Sequence, residues 1–133
     1  SGSSGHGPQP MVVSYASSPA AEVVYADPPV TEAPTASILG PDSCFDQIEF
    51  VGILKETKNL GLAQRFVDFM LGTQFQEDMP LQMYVYPVNQ EAVLPQVFVQ
   101  YAQVAPQSAS LDLATIATNR DQWIADWQNV VLQ

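Results

Sequence analysis

The sequence predicts an α/β fold in which a mixed sheet is flanked by helices. Residues 47–54 place β-prone apolar side chains among polar ones and a glycine, which is typical of a strand. Residues 60–71 follow after a polar turn and carry apolar side chains at helical spacing. The β-branched pair Val12-Val13 also disfavours the alternative of an all-helical bundle.

Before this central unit, the chain predicts two further strands and one short helix. The apolar run 11–15 ends at Tyr15 and predicts a buried strand. A short helix is predicted from Ala20 to Tyr25, because prolines follow closely and stop it. Residues 34–39 predict the second strand, which ends at a Gly-Pro turn.

Two adjacent helices are predicted at 60–71 and 73–79. Asn59 is the expected N-cap of the first helix, and Gly72 is expected to end it in a left-handed conformation. Thr73 begins a capping box for the second helix, and Pro80 is expected to end that helix.

The last third of the chain predicts one extended segment and two helices. Residues 82–86 are predicted to be extended. Residues 94–104 are predicted to be helical, with Val97, Tyr101 and Val104 on one side. The final helix, 119–131, is predicted to start at a Thr118 cap, and one face is apolar: Trp123, Ile124, Trp127, Val130 and Val131.

The charge balance excludes some classes of partner. Fourteen acidic and four basic residues give a net charge of −10, so nucleic acid is excluded as a partner because binding it relies on Lys and Arg. The sign suits a cationic ligand, although an acidic surface kept for solubility is the more common explanation of such a charge. The sequence contains no apolar run long enough to insert into a membrane, and the single Cys44 cannot form an internal disulfide.

Catalytic groups are missing from the sequence. Residues 1–7, SGSSGHG, are typical of an expression tag, and they contain the chain's one histidine, His6. Without another histidine or an activated thiol, no Ser-His or Cys-His nucleophile can be assembled. Asp46 and Glu49 would point to opposite faces of a strand. We therefore expect no enzyme, no cofactor and no metal site.

Three residues are candidates for contacting a ligand. Tyr15 ends a predicted strand at a serine-rich loop, where open α/β sheets place ligands, and its ring could face a delocalised cation. The alternative is a core tyrosine with its hydroxyl at the rim. Ser17 could hydrogen-bond a ligand or simply form a local turn. Tyr84 offers a second aromatic face, or packs across strands.

The chain resembles a family of transport proteins. The segments VVSYASSPA, QIEFVGILKETKN and LAQRFVDFMLGTQFQEDMPLQMYVYPVN, followed by the helix with Trp123-Ile-Ala-Asp-Trp127, are similar in order to the C-terminal part of periplasmic thiamine-binding proteins. The resemblance implies that 8–133 is the C-terminal segment of a two-lobe fold of the periplasmic-binding-protein type. It also implies a periplasmic or membrane-tethered extracellular location.

The same resemblance implies a ligand, a partner and roles for the site residues. The ligand would be thiamine or a phosphate ester of it, delivered to the permease of an ABC importer. Tyr15 matches a tyrosine of the family's ligand cleft, and Tyr84 stands where the family can carry a tryptophan that faces the ligand. Ala21 replaces a further stacking tyrosine, which puts the pyrimidine contact in question.

Two other functions stay open from the sequence. A ferric-iron binding protein would share the helix signature, but such proteins have adjacent tyrosines and Tyr15 is followed by Ala16. A ligand-free interaction module is the other alternative. As a fragment of a two-lobe protein, the chain would leave strand edges and its apolar terminal helix uncovered, which predicts self-association of the fragment.

Overall fold

The computed structural model describes residues 10–132 and shows a helical protein. Within those residues no strand is present, and one isolated parallel bridge joins Phe45 to Ala109. The predicted α/β fold with a mixed sheet flanked by helices is therefore wrong. Five helices are formed instead: α1 (Ser18–Tyr25), α2 (Leu60–Leu71), α3 (Thr73–Met83), α4 (Gln96–Tyr101) and α5 (Leu113–Val131).

None of the predicted strands at 11–15, 34–39 and 47–54 forms. A strand is stable only when a neighbouring strand accepts its backbone hydrogen bonds and covers one face. In the described part of the chain, segment 47–54 has neither, and Phe50 is 88% exposed and Leu54 83% exposed. Its β-prone composition therefore has no sheet to join.

The core lies where α1 packs on α4. Ala20, Phe98 and Ala102 are its buried apolar residues. The helix predicted at 94–104 is shorter than expected: Val97 and Tyr101 of the predicted side pack against the core, whereas Val104 lies beyond the helix and is 64% exposed. Pro95 precedes α4 and its carbonyl accepts the amide of Phe98 at 2.9 Å, which starts the helix at the next residue.

Helices α2 and α3 meet at a shared glycine. Asn59 is the N-cap of α2 as predicted, but its backbone oxygen accepts the Ala63 amide at 2.9 Å and its side chain makes no cap. The predicted left-handed conformation of Gly72 is wrong, because this residue is extended (φ −72°, ψ 155°) and also serves as the N-cap of α3. The predicted Thr73 capping box is not formed.

Helix α3 continues past its predicted end. Pro80 lies inside the helix and its ring is buried, so the packing around it outweighs the lost backbone hydrogen bond. The helix ends after Met83, and Tyr84 takes the left-handed conformation (φ 54°, ψ 35°) that was expected one helix earlier. The extended segment predicted at 82–86 is therefore wrong for its first three residues.

Helix α5 begins six residues before its predicted start. Asp112 is the N-cap, and its Oδ2 accepts the amide of Thr115 at 2.9 Å. Thr118, the predicted cap, lies inside the helix and its hydroxyl donates to the Ala114 carbonyl at 2.8 Å. In the described residues, α5 buries none of its side chains: Trp123 is 42% exposed and Trp127 is 56% exposed.

The chain leaves much more surface in water than a folded monomer of its mass. Its accessible surface is 10,947 Å² at 14.5 kDa, against about 6,900 Å² expected from the usual scaling with mass. The face of α2 predicted to be apolar illustrates this, since Leu62 is 61% exposed and Phe66 is 56% exposed.

Candidate ligand-binding site

Two of the three predicted site residues are in direct contact. The Ser17 hydroxyl donates a hydrogen bond of 2.6 Å to the backbone carbonyl of Tyr84, across 67 positions of sequence. Ser17 is 3% exposed and lies immediately before α1, whereas Tyr84 follows the last residue of α3. The two segments that the sequence singled out separately therefore meet at one point.

Tyr84 belongs to a cluster of four aromatic rings, called here the aromatic cluster: Tyr25, Tyr84, Tyr86 and Phe98. The centroid of the Tyr84 ring lies 5.4 Å from that of Tyr25 and 6.1 Å from that of Phe98, and Tyr86 meets Phe98 edge-on at 5.9 Å. These separations are in the favourable range for aromatic pairs. Tyr25 and Phe98 share no local sequence pattern with Tyr84, so neither was predicted as part of this site.

The hydroxyl of Tyr84 is shielded from water although the ring is only half-buried. No hydrogen bond of good geometry joins it to another described residue, and the Tyr25 hydroxyl is the side-chain group that interacts with it. Burial raises the pKa of Tyr84 to about 12, and the neighbouring Tyr25 hydroxyl adds to this rise. The group therefore stays protonated throughout the neutral range and can act as a hydrogen-bond donor.

Tyr15 has a different environment. It is 69% exposed and ends no strand; instead its carbonyl accepts the Ser18 amide at 3.0 Å in a turn. Its ring is not part of the aromatic cluster. The structure thus brings Ser17 and Tyr84 together and leaves Tyr15 beside them on the same loop, with its aromatic face free.

A buried glutamine fixes the segment that follows Tyr84. Gln76 is 8% exposed; its Nε2 donates to the Met70 carbonyl at 2.7 Å and its Oε1 accepts the Val88 amide at 2.7 Å. Asn89 donates from Nδ2 to the Leu71 carbonyl at 2.8 Å. These side chains join the YPVN segment (86–89) to the α2–α3 junction. Neither was predicted as a site residue, because Gln76 lies in the mostly polar run 73–78 and nothing local marks it as buried.

Two shallow grooves lie on the described surface. One, of about 180 Å³, is lined by Pro19, Ser37 and Tyr101 among others, close to the start of α1. The other, of about 280 Å³, is apolar and lies between residues 51–54 and α2. Both are smaller than the 300–1,000 Å³ typical of small-molecule pockets, so neither by itself encloses a drug-sized ligand.

The described residues form no metal site, and their charges are paired only at the surface. Among residues 10–132, no group of three or more His, Cys, Asp or Glu side chains is placed to hold a metal ion. The one ion pair found there joins Arg120 and Asp121 at 3.4 Å and is exposed. Within the same residues, no helix combines the length and the apolar character needed to cross a membrane.

Comparison with known proteins gives two relatives of one kind. The chain is 29% identical over 125 residues to the thiamine-binding periplasmic protein of Escherichia coli, and 28% identical over 125 residues to the protein of the same name from Salmonella typhimurium. Each alignment covers 94% of this chain but only 36% of the relative, so the chain spans about a third of their length.

Other comparisons add no second kind of relative. No protein-family model matches the chain, and no solved structure matches it significantly. Both relatives carry the names of binding proteins rather than of enzymes. The resemblance seen in the sequence is thus supported at a coarse level: over nearly its whole length, the chain is distantly similar to periplasmic thiamine-binding proteins.

Proposed function

We propose that residues 8–133 form a segment of a solute-binding protein that captures thiamine or a phosphate ester of it outside the cytoplasm. The bound solute would pass to the permease of an ABC importer without chemical conversion. The observation that carries this proposal is the distant similarity to thiamine-binding periplasmic proteins over 94% of the chain. The net charge of −10 is compatible with a cationic ligand of this kind.

In this proposal, Tyr15 presents an aromatic face to the thiazolium cation. The 69% exposure of its side chain leaves that face accessible. A ring quadrupole attracts a delocalised cation by about 1–2 kcal/mol when the pair is shielded from water. Tyr84 would supply a second face, with the rest of its cluster behind it to hold the ring.

Ser17 is predicted from the sequence as a polar contact with the ligand, but its hydroxyl has another partner. Its one proton is donated to the Tyr84 carbonyl and its side chain is only 3% exposed, so the hydroxyl is directed at Tyr84 rather than at a bound solute. The direct ligand contacts of this proposal are therefore the rings of Tyr15 and Tyr84.

Isothermal titration calorimetry tests the proposal. Thiamine is titrated into the natural protein that carries this sequence and into its Tyr15→Ala variant. Losing one shielded cation–aromatic contact should weaken binding about tenfold. Phe50→Ala is the matched control, because Phe50 is an aromatic residue that is 88% exposed and lies outside the proposed site.

The outcomes separate the alternatives. If the protein does not bind thiamine but binds another solute, the ligand assignment is wrong. If it binds no solute, a ligand-free interaction module is the better description. If Tyr15→Ala and Phe50→Ala both bind as tightly as the parent, Tyr15 is not a ligand contact.

A further inference from the structure

The hydrogen bond from Ser17 to Tyr84 is the one buried polar link between the loop that carries Tyr15 and the turn after α3, among the described residues. Its length of 2.6 Å and the 3% exposure of Ser17 shield its donor side from water, and the bond is part-buried. Ser17 precedes α1, but its side chain makes no capping bond to that helix. Its proton is therefore used for Tyr84 and not for local structure.

The backbone of Tyr84 needs such an external constraint. A residue with a Cβ is unfavourable in the left-handed conformation, and it stays there only when its surroundings hold it. The neighbouring rings hold the side chain of Tyr84, but they do not hold its peptide group. The Ser17 hydroxyl is the group that holds the carbonyl.

We propose that Ser17 is a positioning residue, whose hydroxyl fixes the Tyr84 peptide and so sets the position of the Tyr84 ring relative to the Tyr15 loop. The predicted effect of Ser17 on ligand affinity rests on the proposed function. Its predicted effect on the Tyr84 peptide rests on the geometry alone. It predicts that Ser17 contributes to affinity through Tyr84 and not by touching the ligand.

The first experiment reads Tyr84 directly and needs no ligand. Nuclear magnetic resonance of the protein labelled with ¹³C and ¹⁵N reports hydrogen bonding at the Tyr84 carbonyl carbon. Ser17→Ala should move this resonance upfield, and Ser18→Ala should leave it unchanged, because the Ser18 hydroxyl contacts only the exposed Ser14 hydroxyl at 2.7 Å.

Substitutions of matched shape guard against a packing artefact. Ser17→Thr keeps the hydroxyl. Ser17→Val introduces a side chain of nearly the same volume as threonine but without the hydroxyl. The Thr variant should retain the parent position of the Tyr84 carbonyl resonance, and the Val variant should match Ser17→Ala. If the added methyl group prevents both from folding, the comparison of Ser17→Ala with Ser18→Ala still decides.

The second experiment is a double-mutant cycle on thiamine affinity. Loss of one buried hydrogen bond should weaken binding on the order of fivefold in Ser17→Ala. In the Tyr84→Ala background the ring is already gone, so removing the Ser17 hydroxyl should cause no further loss. A residue that touches the ligand would cause the same loss in both backgrounds.

Each outcome decides the assignment. An unchanged Tyr84 carbonyl in Ser17→Ala overturns it, as does an equal loss of affinity in the two backgrounds. A shifted carbonyl together with a loss that vanishes in Tyr84→Ala supports it. If the parent does not bind thiamine, the proposed function fails, while a shifted carbonyl still supports the positioning of Tyr84 by Ser17.

Discussion

At the scale of single residues, Tyr84 combines two unusual features. Its backbone is left-handed, and its shielded hydroxyl has no hydrogen-bond partner among the described residues. An unpaired buried hydroxyl costs free energy on folding, so natural chains rarely keep one without a use. The backbone and the side chain of Tyr84 therefore both carry a free-energy cost in the folded chain, which the packing of the aromatic cluster must offset.

Replacing Tyr84 with phenylalanine removes the unpaired hydroxyl and should not lower the free energy of unfolding. We expect the free energy of unfolding at neutral pH to be unchanged or raised by up to about 1 kcal/mol. Tyr101→Phe is the control and should destabilise the protein, because the Tyr101 hydroxyl donates to the Thr31 carbonyl at 3.1 Å. Urea unfolding measures both. A clear loss of stability in Tyr84→Phe would show that its hydroxyl has a partner.

The same substitution has a signature in pH. The pKa of Tyr84 is about 12 in the folded chain and 10.0 in the reference state, so the folded state holds its proton more tightly. The stability that this provides is present below pH 10 and is lost as pH rises towards 12. Tyr84→Phe should reduce this alkaline loss. Burial also raises the pKa of Tyr86, so part of the loss should remain.

At the scale of residues, the sequence predicted some members of the site and missed others. Tyr15, Ser17 and Tyr84 were selected from local context and resemblance, and two of them do meet. The rings of Tyr25 and Phe98, which surround Tyr84, could not be assigned to it because their contacts span different helices. Proximity across the chain is set by packing, which no local pattern encodes.

At the scale of elements, Gln76 fixes the α2–α3 corner. One amide group bonds the Met70 carbonyl near the end of α2 and the Val88 amide within the YPVN segment, with two bonds of 2.7 Å. Gln76→Ala should lower the free energy of unfolding by about 1–2 kcal/mol, because a partly buried carbonyl and a partly buried amide lose their partner. Gln74→Ala, on the exposed side of the same helix, should change it by less than about 0.5 kcal/mol.

Chemical denaturation of the two variants provides the measurement. The difference between them is the informative quantity, because both substitutions replace glutamine with alanine in α3 and alter helix propensity equally. If both are equally destabilised, the two lost hydrogen bonds are not the cause and Gln76 does not hold the corner, since alanine itself favours the helix over glutamine.

Helices and strands could be predicted from the sequence only where the residues that determine them lie within the helix or strand itself. Helix 60–71 was predicted with the correct bounds, because its start and apolar spacing are written within the helix. The strand at 47–54 was wrong, since strand formation depends on a partner edge elsewhere in the chain. The start of α5 was missed because Asp112 was not considered as a cap, and Thr118 was.

At the scale of the whole molecule, two features act in opposite directions on self-association: the exposed apolar surface and the net charge of −10. Burial of such surface between copies favours association, while like charge between copies resists it. We predict that the isolated chain self-associates more strongly as salt is raised, because salt screens the repulsion. Light scattering at low and high ionic strength measures the effect.

Helix α5 is the element we expect at the contact. Trp127→Glu should lower the mean mass seen by light scattering, because Trp127 is 56% exposed on a helix with no buried side chain in the described range. Val104→Glu, at an exposed position outside the helices, is the control for added charge. A strictly monomeric parent at high concentration and high salt would contradict the prediction.

The pairing of α1 with α4 has a consequence for cleavage by trypsin. This chain contains four possible cleavage sites for trypsin. Lys55 and Lys58 lie in an exposed turn region, whereas Arg65 and Arg120 lie inside helices. Early digestion should therefore divide the chain before α2. Yet α1 belongs to the first piece and α4 to the second, and the Ala109 amide still donates to the Cys44 carbonyl at 2.6 Å. The two pieces should co-elute in gel filtration and separate only in denaturant, so the nicked protein would behave as a complex of two polypeptides.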